Sequence, residues 1–157
     1  MHQQYSEDKF IELLERIHSF SGDGDPGPAI EAIRLVSEFI CYSEKQPDLN
    51  YFDLLMSYNI LLVDLPRILA LDCRSINIQM LQTVSILVQH ISDTGNLTVL
   101  LGTDLIRQLI DVKWEFDDEI TDYYISMLKS LCIRLQSLPN LINLFYNSTL
   151  KTYPLFL

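Results

Sequence analysis

Glycine and proline are scarce in this chain, with only 5 glycines and 6 prolines among 157 residues. A turn-rich β fold needs more of both, so their scarcity favours helices. Long apolar runs are also missing. None reaches the roughly 20 residues that span a bilayer, and the run Ile60–Val63 is followed by Asp64 and Pro66. Residues Met1–Glu7 lack the basic start and apolar stretch of a secretory signal, so we expect a cytoplasmic protein.

Basic residues are also few. The chain has 11 basic and 21 acidic residues, for a formal net charge of −10. Nucleic-acid binding requires a basic face, which this balance does not supply. Tight binding to anionic lipid is disfavoured for the same reason, because each surface Lys or Arg contributes only about 1 kcal/mol. We therefore expect protein partners, with any membrane association made through them.

Cysteine is sparse and unpatterned. Cys41, Cys73 and Cys132 are an odd number at wide spacing, which suits neither a disulfide framework nor a zinc site. We expect three reduced, buried thiols in helices. His18 and His90 have no metal ligand at a suitable spacing and are expected near helix C-termini.

Catalytic motifs are also missing. The sequence contains no phosphate-binding glycine loop, no nucleophile elbow and no HExxH pair. The stretch Asp23–Asp25 hints at a calcium loop, but Arg34 stands at the twelfth position, where a glutamate is needed. We therefore expect no enzyme activity, no cofactor and no metal.

Apolar residues are plentiful, at 48% of the chain, and their spacing is helical, as in the stripe that Phe10, Leu13, Leu14 and Ile17 form on the first helix. Ser6 is placed to cap the first helix, Ser75 the fifth, and Asp64 a short helix that follows a break before Pro66. A Gly/Pro linker at 21–28 ends the first helix. The other predicted segments are helices at about 29–42, 51–71 with an interruption, 76–91, 97–101, 104–110, 118–138 and 139–146, a turn at 92–96, an extended stretch at 112–116 and an irregular end at 147–157.

Three helical segments resemble one another. Met80–Ile86 aligns with Met127–Ile133 at an offset of 47 residues and, more weakly, with Ala32–Glu38 at an offset of 48. HEAT and armadillo solenoids repeat every 40–47 residues or so, although any amphipathic helices can be slid into register. On this basis we predict an all-α, armadillo/HEAT-like right-handed solenoid of about seven to nine helices, forming a single domain over residues 1–157.

The densest charge lies at the start of the helix predicted at 118–138. Asp117 or Asp118 can cap the first turn of this helix, and the remaining acids suit the positive end of its dipole, so the cluster can be a solvated helix start. It can also be a docking site for a basic partner, with the neighbouring aromatic residues as anchors. Equally, those aromatic residues can fill a groove between helices. The candidate residues are Trp114, Glu115, Phe116, Asp117, Asp118, Glu119 and Asp122.

Several stretches together resemble a known family. Met80–Leu87, Phe116–Ile120, Tyr123–Lys129 and Asn143–Asn147 look like successive signatures of the FPL domain, and the string around Tyr123–Tyr124 is the most specific. This is the N-terminal domain of the Ema-type proteins, also called C-type lectin domain family sixteen member A. The resemblance covers about residues 31–157. It leaves residues 1–30 as an N-terminal helix and a Gly/Pro linker.

The family's Phe-Pro-Leu motif has its counterpart at Tyr153, Pro154 and Leu155, which are added as candidate interaction residues. The resemblance implies a non-catalytic adaptor or scaffold in endosomal maturation, autophagy and vacuolar or lysosomal trafficking, peripheral on endosomal, Golgi or lysosomal membranes. The family proteins are longer, so we expect an N-terminal fragment of a longer protein. Two other functions stay open, namely a component of a ubiquitin-ligase assembly and a homo-oligomeric helical scaffold.

Overall fold

The computed structural model describes residues 2–46, 48–139 and 142, and over that part of the chain it is all-helical. A 3₁₀ turn at His2–Tyr5 precedes eight α-helices, and a π-helical turn lies at Ile60–Asp64. The α-helices are α1 (Glu7–Ser19), α2 (Gly27–Ser43), α3 (Tyr51–Ser57), α4 (Leu65–Leu69), α5 (Arg74–His90), α6 (Thr94–Gly102), α7 (Leu105–Asp111) and α8 (Asp118–Ser137). The all-α prediction is thus confirmed.

Helix α1 begins where the sequence predicted. The Ser6 side chain accepts a hydrogen bond from the backbone N–H of Lys9 at 3.3 Å, and the predicted apolar stripe is buried. The chain then turns through Gly22, whose φ of +94° favours glycine. Helix α2 starts two residues before the predicted Ala29, because Pro28 fits the first turn of a helix.

The predicted break before Pro66 is instead a change of helical pitch. The π-helical turn at Ile60–Asp64 leads directly into α4, with Leu65 N–H bonded to Ile60 O. Pro66 sits in the first turn of α4, where its missing N–H costs nothing. The prediction that Asp64 caps this helix is wrong, because its carboxylate makes no cap bond and is buried against other partners.

Two further predicted boundaries need correction. Helix α5 starts at Arg74, so Ser75 lies inside it and does not cap it; its hydroxyl instead lies 3.4 Å from the Cys73 sulfur. Helix α6 begins at Thr94, within the predicted turn, because the Asp93 carboxylate caps the N–H of Asn96 at 2.9 Å. His18 and His90 both lie in the last turns of their helices, as predicted.

The three long helices α2, α5 and α8 pack side by side in that order, and α1 packs on the outer side of α2. They contain the three segments that resemble one another in sequence, so those segments lie in neighbouring helices. One hydrophobic core runs from Phe10 in α1 to Leu131 in α8. The right-handed armadillo-like course of the stack stays a prediction.

The prediction of three buried helical thiols is wrong in part. Cys41 and Cys73 are only half-buried, and Cys132 is exposed. Cys73 also stands just before α5 rather than within it. Cys132 lies on a side of α8 that no other element of the described chain covers.

Candidate protein-interaction surface

The start of α8 is built around Asp117. One carboxylate oxygen accepts the N–H of Ile120 at 2.9 Å, and the other lies 2.8 Å from the Arg74 guanidinium of α5. Arg74 also donates to the carbonyl of Glu115 at 3.4 Å. Asp117 therefore caps α8 and joins it to α5. This confirms the cap predicted at Asp117 or Asp118 and gives Asp117 a structural role.

Three further acids extend from the same helix start. Asp118, Glu119 and Asp122 are exposed and, within the described part of the chain, form no ion pair. Glu115, just before the helix, is exposed as well. Their charge is favourable next to the positive end of the helix dipole, where an acidic side chain contributes about 0.3–1 kcal/mol. The result is an acidic patch formed by Glu115, Asp118, Glu119 and Asp122, open to an approaching cation.

The two aromatic residues beside this patch take different roles. Trp114 is half-buried against the core and donates its indole N–H to the carbonyl of Leu109 at 3.1 Å, so its ring is directed to the core and to α7. Phe116 is 58% exposed and meets the Tyr124 ring edge-on, with ring centroids 5.3 Å apart. Only Phe116 is therefore available as an exposed aromatic anchor. Burial, with a smaller contribution from Asp111, raises the pKa of Tyr124.

The seven candidates from Trp114 to Asp122 are thus brought together around one helix start. Tyr153, Pro154 and Leu155 lie outside the described residues. The interaction role of all ten stays a prediction.

The sequence interpretation missed a buried carboxylate cluster. Asp64 is 1% exposed, and its carboxylate lies 3.1 Å from His18 Nδ1 and 3.2 Å from Arg67 Nη2. Arg67 also donates to the carbonyls of Phe20 and His18, at the C-terminal end of α1. The cluster ties α1 to the π-helical turn, so its evident role is structural. Its only sequence signal is one acid following an apolar run.

A groove of about 510 Å³ between α2 and α5 is lined by a thiol and an imidazole, those of Cys41 and His90. Burial raises the pKa of the Cys41 thiol, which disfavours the reactive thiolate. No group of three His, Cys, Asp or Glu residues in the described ranges is placed to hold a metal ion. The groove therefore offers no activated nucleophile.

These observations define a class of protein, an all-helical domain with stacked long helices and an acidic helix start. None of its described helices combines the length and apolarity needed to cross a membrane. The model of the FPL family, described as an uncharacterised conserved protein, matches residues 33–157. The chain belongs to this family, which confirms the resemblance over about residues 31–157.

Curated relatives agree with this assignment. The Caenorhabditis elegans protein named CLEC16A homolog is 34% identical over 127 residues, which cover 80% of this chain and 14% of that protein. Human CLEC16A is 31% identical over 128 residues, 81% of this chain and 12% of that protein. TRANSPARENT TESTA 9 of Arabidopsis thaliana is 27% identical, over 81% of this chain and 15% of that protein. The chain thus spans a small part of their length, and no solved structure matches it.

Proposed function

We propose that this chain is a non-catalytic protein-interaction domain, an adaptor or scaffold module, acting in endosomal maturation, autophagy and vacuolar or lysosomal trafficking. The observation that carries the proposal is membership of the FPL family across residues 33–157, together with the resemblance of that domain to the trafficking proteins named above. The net charge of −10 supports recruitment by proteins rather than by anionic lipid. The proposed location is the cytoplasmic side of endosomal, Golgi or lysosomal membranes.

The acidic patch, with Phe116 beside it, is the part of the domain best suited to electrostatic recognition. Its acids are exposed and unpaired within the described chain, so a basic partner can form ion pairs with them without breaking an internal ion pair. Complementary charge accelerates encounter and selects partners. Asp117 is set apart from this role because it already holds α8 to α5.

The direct test is proximity labelling in the native cell with the wild-type chain and a double charge reversal, Asp118→Lys with Asp122→Lys. We expect the wild type to label endosomal and lysosomal trafficking proteins and the reversed variant to lose a subset of them. Glu15→Lys with Asp23→Lys is the matched control, because both residues are exposed and lie far along the chain from α8. Thermal unfolding should be unchanged in both variants.

Two results would contradict the proposal. If only proteins unrelated to membrane trafficking were labelled, the proposed role in trafficking would be wrong. If the Asp118/Asp122 reversal left the labelling unchanged, the proposed binding role of the acidic patch would be wrong. Ubiquitin transfer by the purified chain would overturn its non-catalytic part and favour the ubiquitin-ligase alternative.

A further inference from the structure

The repeat places equivalent residues of the three long helices in register. With the offsets of 48 and 47 residues, Ser37 of α2, Ser85 of α5 and Cys132 of α8 fall at the same position. A small side chain stands there each time, which allows a neighbouring helix to approach closely. Ser37 is 2% exposed and Ser85 is 4% exposed, whereas Cys132 is exposed.

The same contrast extends along one side of each helix. Residues spaced by three or four lie on one face, so four equivalent positions define a flank. All four are buried in α2 and in α5, and none is buried in α8. The flank consists of Ala29, Ile33, Ser37 and Ile40 in α2, of Asn77, Leu81, Ser85 and Val88 in α5, and of Tyr124, Leu128, Cys132 and Leu135 in α8.

Each covered helix is contacted by the next long helix. The Thr83 hydroxyl of α5 donates to the carbonyl of Ile33 in α2 at 3.0 Å. One step along the stack, Gln89 of α5 donates to the Ser126 hydroxyl of α8 at 3.2 Å, and Arg134 of α8 donates to the carbonyl of Ile91. Within residues 2–46, 48–139 and 142, no element other than α5 packs extensively on α8, although Ile110 and Phe116 contact Tyr124.

Ile125 extends this open flank and is 44% exposed. The α8 flank is defined as Tyr124, Ile125, Leu128, Cys132 and Leu135. Three of these residues are half-buried against the core, whereas Ile125 and Cys132 are exposed, so the flank is an apolar helix surface that is partly open to solvent. Its N-terminal end adjoins Asp118 and Asp122 of the acidic patch. A docked helix would thus meet apolar side chains along its length and negative charge at one end.

We propose that the α8 flank is a docking site for an amphipathic helix of a basic partner protein. This inference deepens the protein-interaction role proposed above and rests on it. Charge complementarity identifies the occupant. Lys or Arg at one end of the incoming helix would meet Asp118 and Asp122, while a second copy of this chain, also carrying a net charge of −10, would be repelled. The small Cys132 side chain leaves room for the incoming helix to approach.

A peptide derived from α8 can serve as the probe for helix docking on the α8 flank. A synthetic peptide of residues 118–137 carries the face with which α8 packs on α5. Replacing its three N-terminal acids, Asp118, Glu119 and Asp122, by Lys makes it a basic amphipathic helix, and Cys132→Ser removes its thiol. The matched control peptide keeps the acids and carries only Cys132→Ser. We expect the basic peptide to bind the full chain at least about tenfold more tightly than the control.

Two substitutions in the full chain locate the binding. Ile125→Asp should weaken binding of the basic peptide about tenfold or more. Ile133→Asp should change it less than about twofold. Ile133 is the matched control because it is 65% exposed on the same helix, about 80° around the axis from Ile125. Both residues are exposed, so both variants should fold.

Cys132 reports occupancy directly. Alkylation followed by mass spectrometry should find Cys132 reactive in the free full chain and protected by the basic peptide, with Cys41 and Cys73 unaffected as internal references. Equal loss of binding in the two Ile variants would overturn the proposal. So would a Cys132 thiol that is already protected in the free chain, since residues of the chain itself would then cover the flank. The peptide assay needs no cellular partner, so its failure is distinguishable from a negative proximity-labelling result.

Discussion

Helices α5 and α8 share a sequence pattern but not an environment. Helix α5 lies between α2 and α8, and ten of its side chains are buried. Helix α8 packs on α5 along one side, and only Ile120, Met127, Ser130 and Leu131 are buried. On its flank, α8 has Leu128 and Leu135 at the positions where α5 buries Leu81 and Val88. An apolar face thus shows that a helix can pack against another element. Whether the face is buried depends on which elements lie beside it.

The largest expected effect comes from a bulky charge at the repeated small residue. Ser85→Arg forces a charged side chain between packed helices and should cost more than about 4 kcal/mol of unfolding free energy. Cys132→Arg, at the equivalent position of α8, should change it by less than about 0.5 kcal/mol. Urea unfolding followed by circular dichroism measures both. Comparable destabilisation of the two variants would mean that the α8 flank is covered.

Truncating one leucine of each flank gives a smaller difference. Leu81→Ala leaves a cavity at a fully buried position of α5 and should cost about 2–5 kcal/mol. Leu128→Ala removes the equivalent half-buried side chain of α8 and should cost about 1 kcal/mol, because solvent already reaches the site. The ratio of the two changes in unfolding free energy measures how differently the α5 and α8 flanks are covered. A ratio near one would mean that both flanks are covered alike.

The smallest expected effect is the difference in stability between alanine variants of two adjacent acids, Asp117 and Asp118. Asp117→Ala removes the cap of α8 and the ion pair with Arg74, and should cost about 1–2 kcal/mol. Asp118→Ala removes an exposed, unpaired carboxylate and should alter stability by less than about 0.5 kcal/mol. Thermal melts of the two single variants make the measurement. Similar costs would show that Asp118 also has a structural role.

Helix positions could be predicted because they depend on local pattern. The stripe from Phe10 to Ile17, the cap at Asp117 and the offsets between the long helices are all legible in the sequence, and the structure has them in place. Boundaries shifted by a residue or two, as at α5, where Cys73 rather than the predicted Ser75 stands at the N-cap position and makes no side-chain cap bond. The exact first residue of a helix depends on small free-energy differences, which the sequence pattern does not resolve.

Tertiary environment could not be predicted in the same way. Asp64 resembled a helix cap, but its carboxylate forms an ion pair with Arg67 and lies 3.1 Å from Nδ1 of His18, which is 46 residues away in sequence. Cys132 sits among apolar residues, but no later element of the described chain covers it. Trp114 and Phe116 are two residues apart, and only the packing of α7 and α8 distinguishes the buried ring from the exposed one.

The most direct measurement compares two cysteines at equivalent positions. Ser85→Cys places a thiol in the covered flank of α5, and Cys132 already provides one in α8. Pulse alkylation of this variant under native conditions, read by mass spectrometry, should label Cys132 at least about 100-fold faster, because a thiol buried at the α5 position reacts only when the helices open locally. Equal rates at the two positions would contradict an open α8 flank.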